Sequence, residues 1–321
     1  MIRELSCAFA TSLDSPEHTR IAEALGYKRA WFYDSPALYP DVWVQLVRAA
    51  EKTSRICLAP GVLIPHLRHP MVTASAIATL VDAAGESRVA VGVGTGFTGC
   101  VSMGQRPLSW RYVSRYVDSL KKLLNGEEVE WDGGLIKMMH WPGFAAQRPI
   151  KVPFLYAAGG PKGLEVAKKE ANGVILPMEG ASDFDWCVCL TLGTVLEDGE
   201  SAGSPRAIDA AGHGAAVVFH LALEHQVTEI LETNSEWAQS YESVPAAKRH
   251  ITMHDGHLVG VNEHDKAFIN GDLLANTGLA LDRGAWKERL AELSEKGVTE
   301  VAFQPAGSNI PRELEAFAAL F

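Results

Sequence analysis

The stretch from Ile56 to Gly99 constrains this chain most. It runs ICLAPGVLIPHLRHPMVTASAIATLVDAAGESRVAVGVGTGFTG: a β-branched run, a His/Arg/Pro loop, an Ala- and Thr-rich segment, a second β-branched run and a glycine loop. Two short apolar strands around a helix make a βαβ unit, with the glycines at the carboxyl end of the second strand. Ligands of α/β barrels bind at strand carboxyl ends, so the segment marks a site as well as a fold.

The alternation extends both ways along the chain. Leu5–Ala10 reads as a first strand, and Ser15–Pro16–Glu17 opens a helix with Ser at the cap and Pro in the first turn, ending at Gly26. Arg29–Tyr33 is a second strand, followed by a helix from Asp41 to Lys52 with Val42, Leu46, Val47 and Ala50 at helical spacing. Arg55–Val62, Val89–Val93, Val152–Ala158 and Gly173–Pro177 are strands three to six. Between them lie helices over Pro70–Ala84, Leu108–Leu124 and Pro161–Ala171, the second amphipathic through Tyr112, Tyr116, Leu120 and Leu124. Gly214–Leu221 is read as strand seven, Val298–Phe303 as strand eight and Pro311–Leu320 as a closing helix. Eight strands, each followed by a helical segment, predict an α/β fold of the (β/α)8 TIM-barrel type rather than a doubly wound sheet. Excess length falls at 125–151, where WDGGLIKMMHW suggests a hairpin, at 178–213, and at 222–296, the largest insertion, after strand seven. No linker divides the chain, so 1–321 is expected to be one domain.

Bulk properties narrow the function. A formal charge of −10 over 321 residues argues against a nucleic-acid partner. The longest apolar run, near Gly214–Leu223, is too short to span a bilayer, and Met1–Glu4 does not open a secretory signal, so no membrane and a cytoplasmic location are expected. The five cysteines include no CxxC pair and are expected to be reduced packing residues.

Gly94–Thr95–Gly96–Phe97–Thr98–Gly99 matches GxGxxG literally. A Rossmann site also needs a helix at once and an acidic residue about twenty positions on, ending a second strand. Pro107 and an amphipathic helix follow here, so the glycines read better as letting backbone approach a flat ligand at a barrel mouth. Tyr156–Gly163 (YAAGGPKG) is either an ordinary strand-to-helix turn or an anion site, where free N–H groups, the positive helix end and Lys162 would face a phosphate. Asp34, ending strand two, either caps a helix or points into the mouth. His250, His254 and His257 are grouped, with His264 close by, while His213, His220 and His225 are scattered. Without HExxH or paired carboxylates they read as pocket-lining or packing residues, and no metal is expected.

The segments ALGYKRAWFYD, LAPGVLIPHLRHPMVTASAIATL, RVAVGVGTG, YAAGGPKGLEVAKKEANGVI and GVTEVAFQPAG, in that order from residue 24 to 307, resemble the luciferase-like monooxygenase superfamily. The resemblance is to its branch using the deazaflavin coenzyme F420, which includes the methylenetetrahydromethanopterin reductases. It implies a barrel with an insertion after strand seven and a tricyclic ring at the strand carboxyl ends. Asp34 would lie near the ring, and Gly61–Val62, where relatives often have a non-prolyl cis peptide, would bulge against its back face. Gly94, Thr95 and Gly96 would flank the ring, and Ala157, Ala158, Gly159, Gly160 and Lys162 would hold the phosphate. Relatives that oxidise glucose 6-phosphate carry His after the strand-two Asp and Glu after the GxG loop. Ser35 and Phe97 stand there in this chain, which argues against that substrate.

The expected function is F420-dependent hydride transfer to or from a small organic substrate. Asp34 is the first candidate for proton donor or substrate anchor, and His250 and His257 are further catalytic candidates reaching in from the insertion. A flavin monooxygenase using reduced FMN and oxygen, and a non-catalytic cofactor-binding protein, are the alternatives. A homodimer is expected from the relatives.

Overall fold

A computed structural model describes residues 2–224 and 227–321. Eight parallel strands form one sheet: β1 (Glu4–Phe9), β2 (Arg29–Phe32), β3 (Cys57–Pro60), β4 (Val91–Gly94), β5 (Phe154–Ala157), β6 (Gly173–Pro177), β7 (Cys187–Leu192) and β8 (Glu300–Gln304). Neighbours follow chain order from β3 through β2 and β1 to β8 and on down to β4. The seam between β3 and β4 closes through parallel bridges Leu58↔Val89 and Leu63↔Val93, with Leu63 N–H donating to the Gly92 carbonyl at 2.8 Å. Between those bridges the Gly61–Val62 peptide is cis, at the place the family resemblance implied. The sheet is therefore a closed cylinder, the expected (β/α)8 barrel.

The outer layer is formed by α1 (Ser15–Ala24), α2 (Val42–Lys52), α3 (Pro70–Ala84), α4 (Trp110–Asn125), α5 (Pro161–Glu170), α6 (Pro205–Glu224), α7 (Arg283–Glu295) and α8 (Ile310–Ala318). Asp41 starts α2 by accepting from the Trp43 and Val44 N–H groups, and Ser109 caps α4 through Tyr112 N–H. Their buried stripes (Leu46, Ala49 and Ala50 on α2; Tyr116, Leu120 and Leu123 on α4) pack on the outward faces of the strands. Inside the barrel, Ala8, Ala59, Ala90 and Ala302 leave room for the Trp31 indole.

Three expectations need correction. Gly214–Leu221 is not a strand but the second half of α6, a 20-residue helix capped by Ser204 with Pro205 in its first turn. Its apolar residues surround the axis, which hid the helical period, yet Ala207, Ala211, Ala215, Phe219 and Ala222 make a buried stripe at three- and four-residue steps. The seventh strand is instead Cys187–Leu192 (CVCLTL), a continuous apolar run of the kind expected of a parallel strand covered on both faces. It lies inside 178–213, which had been set aside as excess. Nor does a helix follow every strand: residues 178–186 join β6 to β7 without one.

The largest insertion does follow strand seven. A short parallel ribbon pairing Thr194 with Ala280 and Val195 with Leu281 closes its neck. Residues beyond that neck have a second apolar core around Phe219, Trp237, Tyr241 and Leu274. The hairpin expected in WDGGLIKMMHW is present but begins earlier, pairing Val129 with Ile136 and Trp131 with Gly134. No described helix is long and apolar enough to cross a membrane.

Candidate active site at the barrel mouth

The ends of β2, β3, β4, β5 and β7 surround a cavity of about 240 Å³ at the carboxyl rim. Asp34, Gly61, Val62, Gly94, Thr95, Gly96 and Ala157 all line it, so seven positions named from the sequence converge from four strands. Phe97, a pocket-wall candidate from the sequence, does line it; Tyr33, Ser35, Tyr39, Ile64 and Leu190 add walls that sequence reasoning did not assign to the site, and Leu258 reaches in from the insertion.

Asp34 is 3% exposed and does not cap a helix; it meets Arg68, whose Nη1 donates to Oδ2 at 2.6 Å. The same guanidinium donates through Nη2 to Asp41 Oδ2 at 3.0 Å, tying the cavity wall to the cap of α2. The Arg68 carbonyl accepts from Tyr116 Oη at 3.0 Å, and Tyr116 Oη also pairs with Thr73 Oγ1 at 2.6 Å. Arg68 is thus held from α3 and α4 before it touches Asp34. Burial pushes the Asp34 carboxyl above its ordinary range, and the Arg68 hydrogen bond opposes that rise. Arg68 escaped the sequence reading, although the His/Arg/Pro loop after strand three placed it beside the mouth.

The glycine loop also has a packing part besides the ligand-facing one expected of it. A Cβ on Gly94 would stand 2.9 Å from Val62 Cγ2, and one on Gly96 or Gly99 would collide with the Ile64 side chain. Gly96 also has φ +80°, which favours glycine. These glycines are required first by the close packing of the loops after β3 and β4 on each other. A five-residue helix, Phe97–Val101, follows them directly, where a longer gap had been expected.

Next to this wall, α5 starts at Gly160 with no side-chain cap. Ala158 is buried, whereas Gly159, Gly160 and Lys162 are exposed, and a Cβ on either exposed glycine would meet nothing within 4 Å. Packing does not demand glycine there. No side chain caps the first turn of α5, and Gly159 and Gly160 before it border open space, an arrangement that fits an anion.

The two histidine candidates lie elsewhere. Neither is among the residues lining the cavity. His250 packs its ring against the turn at Gly104, and His257 sits within a buried group with His254 and His220. Burial pushes His257 well below the usual imidazole range. The backbone at His257 does reach the rim, because its carbonyl accepts from Tyr39 Oη at 2.6 Å. His225 lies outside the described residues.

A closed parallel barrel with a narrow apolar slot at its carboxyl rim, one buried carboxyl in the wall and an open helix start beside it, is the frame of a barrel enzyme. Comparison with known proteins gives the particular family. The family model for the luciferase-like monooxygenases matches residues 14–190, and the chain belongs to that family. Sequence relatives include the 5,10-methylenetetrahydromethanopterin reductase of Archaeoglobus fulgidus, 30% identical over 52% of this chain and 50% of its own length. The enzyme of that name from Methanopyrus kandleri is 25% identical over 92% of this chain and 90% of its own. A further one, from Methanolobus tindarius, is 29% identical over 61% of this chain and 59% of its own. The chain therefore spans half the length of the first of these relatives, about three-fifths of the third and nearly all of the second.

Among solved structures, the coenzyme F420-dependent tetrahydromethanopterin reductase from Methanopyrus kandleri superposes with a TM-score of 0.68, at 20% identity over 99% of this chain and 98% of its own. An F420-dependent secondary alcohol dehydrogenase holding an F420–acetone adduct gives 0.64, at 14% identity over 100% of this chain and 98% of its own. An FMN-bound type II Baeyer–Villiger monooxygenase from Pseudomonas putida gives 0.61, at 12% identity over 99% and 97%. The fold is the one shared by these proteins, and the luciferase-like family expected from the sequence is borne out.

Proposed function

We propose that the chain, acting as one cytoplasmic domain, is a coenzyme F420-dependent oxidoreductase that moves hydride to or from a small organic substrate. The observation that carries this reading is the adjacency of the rim slot, with Asp34 and Gly61–Val62 in its walls, to the uncapped start of α5. A cavity of about 240 Å³ falls short of the ~300–1,000 Å³ of pockets that enclose a whole ligand. It suits one flat ring system with a tail lying outside on the rim.

When bound, the deazaflavin would supply the hydride donor or acceptor carbon. Val62 and Gly61 would support one face of the ring, and Thr95 with the Gly94 and Gly96 backbone would border it. Gly159, Gly160 and Lys162 would hold a phosphate at the positive end of α5. Phe97, Leu190 and Leu258 keep water from the slot, and Asp34, steadied by Arg68, would hold a proton and move it to or from the substrate. His250 and His257 fit this mechanism poorly, because neither side chain lines the slot. The substrate's identity depends on the loops around Tyr39, Phe97 and Leu258.

The FMN-bound barrel neighbour supports a second reading, a flavin monooxygenase on the same frame. Separate fluorescence titrations with F420 and FMN distinguish the two. Tight F420 binding with negligible FMN binding is expected, and the reverse would overturn the proposal. Asp34→Asn is expected to leave F420 binding within a few-fold of wild type while turnover falls ~10²–10⁴-fold. Unchanged turnover would remove Asp34 from the mechanism, and tight binding with no turnover for any reductant–acceptor pair would favour a non-catalytic binding protein. Exposed Leu135, Met139, Trp141 and Phe144 around the hairpin support a homodimer, which light scattering would test.

A further inference from the structure

The insertion beyond the ribbon neck carries a second cluster of chemistry that the rim slot does not use. His220 on α6 meets His254 and His257 from the segment after the helix Ala246–Met253, and all three rings are buried. One ring nitrogen from each lies within 4.8 Å of the other two. Three imidazoles buried together are unusual: they form no apolar packing advantage, and each brings polar nitrogens that must be satisfied.

The hydrogen bonds around His220 decide which nitrogen is available. Asp265 is fully buried, and its Oδ1 accepts from Trp237 Nε1 at 2.7 Å and from Tyr241 Oη at 3.1 Å. Its Oδ2 lies 2.8 Å from His220 Nε2. A carboxylate so placed accepts, so His220 Nε2 carries the proton and Nδ1 keeps a lone pair. That Nδ1 is buried and has no partner among the described residues. A carboxylate fixing one imidazole nitrogen so that the other presents a lone pair is the arrangement found behind metal-ligating histidines.

The other two rings supply the spacing. His254 Nδ1 and His257 Nδ1 stand 3.3 Å apart. Two nitrogens at ~2.0–2.1 Å from a tetrahedral zinc ion are separated by about 3.3–3.4 Å. The rings are nearly perpendicular, at 75°, so they converge rather than stack.

We propose that His220, His254 and His257 form a binding site for one divalent transition metal of the zinc class, with Asp265 as the group that orients His220. Nitrogen donors select zinc, cobalt or nickel over magnesium and calcium, which prefer oxygen. The fourth position is left to water. The metal would join α6 to the 254–257 segment, whose continuation carries Leu258 into the slot wall. Tyr39 Oη holds the His257 carbonyl and Gln304 Nε2 donates to the Leu258 carbonyl at 2.8 Å, so the clamp lies directly behind the rim. This assignment stands on its own geometry and does not depend on which cofactor the slot takes.

The test uses the full-length, untagged protein after chelator treatment. Zinc titration with a competing chromophoric chelator is expected to show one site per chain, and cobalt to give the visible bands of a tetrahedral nitrogen site. Magnesium and calcium should not compete. His254→Gln/His257→Gln should lose the site and the cobalt spectrum, and Asp265→Asn should weaken zinc binding ~10–100-fold. Wild-type protein should also gain several degrees in Tm with saturating zinc, a readout that needs no variant to fold. Absence of stoichiometric zinc binding by wild type, octahedral cobalt bands only, or unchanged affinity in the folded double variant would each overturn the proposal. F420 binding is measured in parallel on the metal-free protein, so failure of the slot and failure of this site are separable.

Discussion

Glu300→Gln tests how the floor of the barrel is held, at the end away from the site. Glu300 starts β8 and is 1% exposed inside the cylinder. Its carboxylate accepts from Arg29 Nη1, from Trp31 Nε1 at 3.0 Å and from Trp186 Nε1 at 2.9 Å. Arg29 is itself buried; besides stacking over the Trp186 ring, its only other acidic partner among the described residues is the partly exposed Glu4 at 3.4 Å. Glutamine keeps the shape and one acceptor but removes the charge, leaving a guanidinium in the wall without its counter-ion. Breaking a buried pair from one side costs about 3–5 kcal/mol. Unfolding entropy of ~2.1 cal/mol/K per residue over 321 residues is about 0.67 kcal/mol/K, so the expected fall in Tm is about 4–7 °C. Differential scanning calorimetry and urea denaturation measure it. F420 affinity should stay within two-fold, because the pair lies at the amino ends of the strands. Arg29→Met combined with Glu300→Gln should recover much of the loss, since no bare charge remains. A Tm change below 1 °C in the single variant, or a double variant no better than the single, would refute the argument.

Three further outcomes follow from the same structure. Lys162→Ala removes a cation from the exposed start of α5 and should weaken F420 binding about 2–5-fold, an effect that shrinks with added salt; equal affinities at low salt would move the phosphate elsewhere. Gly96→Ala forces a side chain into the Ile64 contact at φ +80° and should cost about 2–4 kcal/mol, read as a lower urea midpoint together with weaker cofactor binding. Glu200 is pulled down to about 2, chiefly by the hydrogen bond from Arg206, so its contribution is present above the ordinary carboxylate range and fades as pH falls from about 4.5 to 2. Glu200→Gln should flatten that part of the stability–pH curve, and an unchanged slope would show that the Arg206 contact does not persist in solution.

The parts of the fold that were legible in the sequence are those where local pattern and tertiary role agree. The helix Pro70–Ala84 has its proline in the first turn, and β2 and β8 are short apolar runs between turn residues. Strand seven failed because two apolar stretches competed: CVCLTL is short and flanked by polar turns, while GAAVVFHL is longer and equally apolar. Only the four-residue recurrence of buried alanines, with Ser204–Pro205 upstream, separates the helix from a strand. The site was legible where it is made of strand ends, as at Asp34, Gly61 and Ala157. It was not where it depends on long-range placement: Leu258 is 224 residues from Asp34, and no local pattern ties the two. The same limit hid the histidine cluster. His220 was assigned to a strand, where it could not share a helix-bounded core with His254 and His257.

The insertion is fastened to the barrel at two different levels, and this bears on how the site could open. Near the neck, Glu313 of α8 accepts from Thr194 Oγ1 at 2.6 Å and from Arg206 Nη1 at 2.9 Å, while Arg312 Nη2 donates to the Val195 carbonyl at 2.9 Å. This is a dense, buried, charge-assisted anchor that resists separation. At the rim the link is a single file: Tyr33 Oη donates to Gln304 Oε1 at 2.8 Å, Gln304 Nε2 donates to the Leu258 carbonyl, and Tyr39 Oη donates to the His257 carbonyl. Neutral hydrogen bonds of this kind contribute about 1 kcal/mol each, far less than the anchor below. A ligand that displaced Leu258 would therefore break the rim contacts first and leave the neck intact, turning the insertion's edge about a fixed base. The residues that would decide which substrates enter are then the loop residues of this file, Tyr39 and Leu258, rather than the buried carboxyl beneath it, because they lie outside the strands that Gln304 and Tyr33 continue.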